Sequence, residues 1–172
     1  NVPLNGYPCD MKFQIPFNYS VQAYHQIQIK QRDTETEVDL SSKTSQGPLS
    51  IAIETIGSTS ETGAPVFLSQ DSPEVLFQLR NEQPEDSTFR GLIEVEDVEF
   101  QASGVELGEG CKNIDEPISI DRDQMSKIIR CEIKDTGLEG SPSKRAEITA
   151  SANYTYIKDI GSRTVQVKYR GN

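Results

Sequence analysis

Apolar and polar residues alternate with a period close to two through most of the chain. Phe13, Ile15, Phe17, Tyr19 and Val21 interleave with Gln14, Pro16, Asn18, Ser20 and Gln22. That is the pattern of a strand with one buried and one wet face. A turn at Ala23-Tyr24-His25-Gln26 and a second strand through Ile27 and Ile29 are expected to follow. The theme returns at Leu49, Ile51 and Ile53, at Val75, Phe77 and Leu79, and along 92–107, where Val98 and Phe100 anchor the second half. It recurs at Ile118 and Ile120, and at Ile129, Cys131 and Ile133. The cleanest run is Ile148, Ala150, Ala152, Tyr154 and Tyr156, followed by Val165, Val167 and Tyr169. Only 121–130 could hold a turn or two of helix. Polar, turn-forming stretches lie at 57–65, 81–87 and 135–145. Seven to nine short strands with one apolar face each need a second sheet as cover, so the expected fold is an all-β antiparallel sandwich.

The two ends of the chain share three short blocks in the same order. Cys9-Asp10-Met11-Lys12 matches Cys131-Glu132-Ile133-Lys134, and Asn18-Tyr19-Ser20-Val21 matches Asn153-Tyr154-Thr155-Tyr156. Ile27-Gln28-Ile29-Lys30 matches Val165-Gln166-Val167-Lys168. A duplicated three-strand unit accounts for this. Residues 1–30 then read as the end of a preceding repeat or as a donated strand pair, 31–47 as a polar linker, and 48–172 as a complete sandwich domain. On that division the apolar face of 1–30 is covered by polypeptide outside 48–172, a neighbouring domain or subunit.

Charge narrows the function classes. The chain holds 17 Lys and Arg against 27 Asp and Glu, a net charge of -10. A nucleic-acid binder needs a basic face, and docking to anionic lipid needs the same. No apolar run is long enough to span a bilayer. With one histidine, His25, expected as an exposed turn residue, and no elbow, phosphate-loop or dinucleotide motif, no catalytic site or cofactor is indicated.

Three cysteines are present, with no C-x-x-C pair. Cys111 follows the turn-like Gly108-Glu109-Gly110, and Cys131 shares the inward face of Ile129 and Ile133, so the two are expected to form a disulfide. Cys9, equivalent to Cys131 in the repeat, then lacks its partner. Two N-x-S/T sequons, at Asn18 and Asn153, put Asn on the wet face and are candidate glycosylation sites. Acidic residues cluster at 94–99 and 115–123. Asp121 and Asp123 are the best calcium candidates, although no EF-hand pattern surrounds them.

The segment 127–170 resembles the closing strands of immunoglobulin-like domains in archaeal and bacterial cell-surface proteins. The resemblance is carried by Arg130-Cys131-Glu132-Ile133, by Ala146 through Tyr156, and by Thr164-Val165-Gln166-Val167-Lys168. It departs from antibody domains in having no core Trp. It implies an immunoglobulin-like sandwich, secreted or surface-displayed, acting as a structural or adhesive module of a surface protein or filament. The alternative is a ligand-binding module that holds carbohydrate or calcium in loops at one end.

Overall fold

The computed structural model describes residues 7–34, 39–57, 65–70, 72–82, 91–111, 114, 116–120, 126–134, 136–138 and 140–167. Their regular structure is strand, apart from one 3-10 turn at Glu109–Cys111. The strands are β1 (Tyr7–Lys30), β2 (Ser42–Thr44), β3 (Leu49–Ile56), β4 (Val66–Leu68), β5 (Glu74–Asn81), β6 (Leu92–Ser103), β7 (Glu106–Leu107), β8 (Ile118–Ile120), β9 (Ser126–Lys134) and β10 (Ser143–Val167).

They form two sheets. One runs β2-β1-β10-β6-β8, with β4 also pairing β1 in parallel; the other runs β3-β5-β9-β7. All other pairings are antiparallel. Inward residues of both sheets join a single core, including Ile27, Ile29 and Ile148 from the first and Leu49, Phe77 and Cys131 from the second. Phe77 of β5 and Phe100 of β6 meet across the layers with ring centres 4.5 Å apart. The expected antiparallel all-β architecture is therefore present. The strand order is another matter. In the constant-type immunoglobulin sandwich the first and last strands lie in opposite sheets, whereas here β1 and β10 are neighbours in one sheet.

Residues 7–30 are not two strands joined by a turn. They make one strand of 24 residues that pairs β10 from Tyr7↔Val167 to Lys30↔Ser143. Ala23, Tyr24 and His25, expected in a turn, sit mid-strand between β10 and β2. The middle pair of matching blocks lies face to face. Asn18↔Thr155, Tyr19↔Tyr154, Ser20↔Asn153 and Val21↔Ala152 are cross-strand partners. Facing strands of one ribbon meet the same demand for apolar on one face and polar on the other, so they come to look alike. Cys131 lies on β9 in the other sheet and has no positional counterpart in Cys9.

The expected boundary at 31–47 does not separate two packing units. Ser42–Thr44 form β2 on the edge of β1, and Val21, Ala23, Ile27 and Ile29 are buried in the same core as 49–154. Burying side chains of the Val and Ile type stabilises by about 1.5–3 kcal/mol each. Two prolines within β1 fit this geometry. The N–H groups of Gln22, Gln26 and Gln28 point away from β10, to Ser45 Oγ, Ser41 O and Pro65 O. Pro8 and Pro16 share that parity, so neither removes a bond to β10.

Removing residues 1–30 therefore takes four core side chains and a central strand with it. Circular dichroism and urea titration of the truncated chain are expected to show no cooperative transition. A two-state melt in the truncated chain would mean that 48–172 folds alone.

Candidate functional site

β1 and β10 outrun the sandwich. The last β10 residue paired with β6 is Ile157, and β2 reaches β1 no further out than Ala23. Beyond them, 7–15 and 158–167 pair only with each other among the described residues. At about 3.3 Å per residue the stretch 7–15 spans roughly 30 Å. An arm of two strands projects from the body.

Its two faces differ. On the polar face cross-strand side chains satisfy one another. Gln14 Nε2 donates to Asp159 Oδ1 at 2.8 Å, and Thr164 Oγ1 donates to Asp10 Oδ1 at 2.6 Å. The Thr155 hydroxyl lies 3.1 Å from Asn18 Oδ1 and 2.9 Å from Glu96 Oε1. The other face carries Met11, Phe13, Ile15, Phe17 and Tyr19, exposed by 45%, 46%, 41%, 41% and 44%, with Val165 at 40%. This is the same face that buries Val21, Ala23, Ile27 and Ile29 further along β1. An aromatic ladder links the two regions. The Tyr154–Tyr19 ring centres are 5.7 Å apart, Tyr19–Phe17 6.5 Å and Phe17–Tyr156 6.4 Å.

Tyr154 roots this ladder in the core. It is 2% exposed, and its Oη accepts the Leu49 N–H at 3.5 Å, tying β10 to the opposite sheet. Burial raises its hydroxyl pKa, the Leu49 bond opposes the rise and nearby Tyr19 adds to it. Gly47 leaves room for that hydroxyl, since a Cβ there would lie 2.9 Å from it.

One bulge keeps the apolar face continuous. Gln14 pairs Asp159 while Phe13 pairs Gly161, so Ile160 is the extra residue, and Gly161 takes a positive φ of 138°. The shift moves the inward parity of β10 from even (154, 156, 158) to odd (161, 163, 165). Val165 thereby comes opposite Cys9, on the side of Tyr156. The chain pattern had presented 148–156 and 165–169 as separate strands. The change of phase is a bulge within one strand.

Cys111 and Cys131 stand at disulfide distance, with Cα atoms 5.4 Å apart. The 3-10 turn reaches β9 because Gly110 has no side chain; a Cβ there would sit 2.5 Å from Arg130 O. Closing a loop of 20 residues stabilises by about 3 kcal/mol in the chain-entropy account. Cys9 is exposed on the arm and free. Asn18 and Asn153 are exposed on the polar face, Asn153 Nδ2 donating to Asp97 Oδ2 at 3.3 Å. Asp121 and Asp123 lie outside the described residues. Among the described residues, no three His, Cys, Asp or Glu side chains gather as a metal site would require, and no helix is long and apolar enough to cross a membrane.

His25 is a correction to the sequence reading. It is half-buried rather than exposed, on the inward parity of β1 opposite fully buried Ile148. Neither ring nitrogen has a hydrogen-bond partner among the described residues, and burial lowers its pKa from 6.5. An open groove of about 360 Å³ lies beside β3, between Thr44, Gln46, Gly47, Arg80 and Glu82, with no aromatic lining. Compared with protein-family models, with curated proteins and with solved structures, the chain finds no match.

The sign of the His25 effect follows from linkage. The unfolded chain takes up a proton near pH 6.5 that the folded imidazole resists, so stability is full above 6.5 and falls as pH drops through that value towards the lower folded pKa. Urea midpoints are expected to decline between pH 7.5 and 5.5 in the wild type, and less so in His25→Leu. Equal declines would assign the effect to other groups.

Proposed function

We propose that the protein is a non-enzymatic structural module of an extracellular or cell-surface assembly, and that the arm is its assembly surface. The observation that carries this reading is the apolar face of the arm. Five large side chains on β1 and Val165 on β10 expose on the order of 500 Å² of apolar surface, comparable with the largest patch of a typical monomer, about 300–600 Å² and often functional. An isolated two-stranded ribbon is marginal in water. Here it is held at one end by the core and by polar pairs along its back, which leaves the apolar face available to a partner.

The compartment follows from chemistry of lesser weight. A cysteine pair at disulfide distance suits an oxidising environment. Both sequon asparagines are exposed, as an extracellular glycoprotein requires. The segment 127–170 resembles immunoglobulin-like surface modules in its residues, and that likeness supports a similar structural role on a different strand order. The non-enzymatic part rests on the single histidine. Its two ring nitrogens are buried without a hydrogen-bond partner among the described residues, which supports a reading without a histidine-based relay.

A surface built for a partner is dispensable for folding. The double variant Phe13→Ser, Phe17→Ser is expected to keep its unfolding free energy within about 1 kcal/mol of wild type, and to lose binding of a hydrophobic dye. For comparison, Ile27→Ala in the core is expected to cost about 2–5 kcal/mol. A loss in the double variant as large as that of Ile27→Ala would make the face part of the protein's own core and end the assembly reading.

A further inference from the structure

We infer that the arm's apolar face is covered by the same face of a second copy, with the two arms stacked antiparallel about a two-fold axis. This rests on the assembly reading above and names its partner.

The layering of the sandwich is the first argument. Inside the body the four-stranded sheet covers this face of β1 and β10, and it reaches outward to Leu49 at Tyr154. There the cover ends: Val21 is 3% exposed, and Tyr19, the next residue of the same parity, is 44% exposed. Facing sheets pack about 10 Å apart, so the body ends in a step of about that height above the arm. A β-ribbon with an apolar face fills such a step, and the arm is itself such a ribbon. Two arms laid parallel would bring both four-stranded sheets into the same space. Laid antiparallel, they leave the bodies at opposite ends, and each arm continues the other's second layer.

Area is the second argument. Two faces with on the order of 500 Å² of exposed apolar surface each bury about 1,000 Å² together, where specific interfaces begin. The carbon chains of Lys158 and Arg163, opposite Ile15 and Met11 on the same face, add to that.

Those two cations set the register. A two-fold axis that crosses the strands lays β1 on β1 and β10 on β10. An axis at Phe13 would hold Lys158 against Arg163 of the other copy, and one at Ile15 would hold two Lys158 side chains together. With the axis midway between them, Tyr7 comes level with Val21 of the other copy, so each described arm meets the step. Arg163 is then level with Tyr156, whose ring face accepts a cation, and Lys158 with Gly161, which has no side chain to oppose it. The register of full overlap is the one that keeps like charges apart. The contact is isologous and closes at two copies.

The test combines sedimentation with cross-linking of the full chain. Wild type is expected to show a monomer–dimer equilibrium that stops at the dimer. It is not weakened when salt rises from about 50 to about 500 mM, because cations lie on both sides. Tagged Phe13→Ser, Phe17→Ser protein is expected to be monomeric and to bind untagged wild type at least about tenfold more weakly than wild type binds itself. In a Cys9→Ser background, Ile15→Cys lies next to the axis and is expected to be joined into dimers by a short bis-maleimide. Wild-type Cys9 is not, since ten residues of strand, about 33 Å, separate it from its copy. Growth past the dimer, weakening by salt, undiminished capture by the double variant, or cross-linking through Cys9 as efficient as through Ile15→Cys would each overturn the inference. A wild type that stays monomeric at several hundred micromolar would overturn it too. In that case an unchanged melt of the double variant leaves the assembly reading standing with another partner, and a loss like that of Ile27→Ala ends both.

Discussion

The antiparallel register between β1 and β10 is the constraint on which the rest of the structure depends. It runs unbroken from Tyr7↔Val167 to Lys30↔Ser143, interrupted only by the bulge at Ile160. At one end it supplies the centre of a sheet, with β2 and β4 on one side and β6 on the other. At the other end it has no neighbours and becomes an arm. One periodicity thus serves two purposes. The odd-numbered residues of β1 fill the core as far out as Val21 and face solvent from Tyr19 outward.

Phase, more than composition, was the legible signal in the sequence, and it was legible in both directions. The strands at Leu49–Ile56 and Glu74–Asn81 follow directly from alternation, as do Ile129, Cys131 and Ile133; residues 126–130, where a helical turn was expected, are strand as well. Apolar residues from Phe13 to Ile29 all keep odd parity, which argues for a single strand through Ala23 and His25; the polar run Tyr24-His25-Gln26 concealed it. Conversely, the shift from even Tyr156 to odd Val165 suggested two strands. A bulge produces the same shift without ending the strand. The shift from Ile93 and Val95 to Val98 and Phe100 in β6 has this origin as well, at the irregularity opposite Asn153 and Tyr154.

The arm face was half legible. Phe13, Ile15, Phe17 and Tyr19 stood out as apolar side chains in need of cover. That they face Gly161, Lys158, Tyr156 and Tyr154 did not, because which strand faces which is a tertiary fact that alternation does not encode. The matching blocks around Asn18 and Asn153 held that information in disguise: two segments with the same alternation, read as sequential repeats, were in fact paired strands. The same pairing brings Lys158 and Arg163 onto the apolar face of the projecting element, opposite Ile15 and Met11.

Native-state hydrogen exchange along β1 in dilute monomer tests the shared register most directly. The N–H groups of odd residues point to β10 along the whole strand, so chemistry is constant and only the surroundings change. The account predicts that amides of Val21, Ala23, Ile27 and Ile29 exchange only through global unfolding, while those of Met11, Ile15 and Phe17 exchange orders of magnitude faster. Unprotected amides at Val21 through Ile29, or equal protection from Met11 to Ile29, would contradict it.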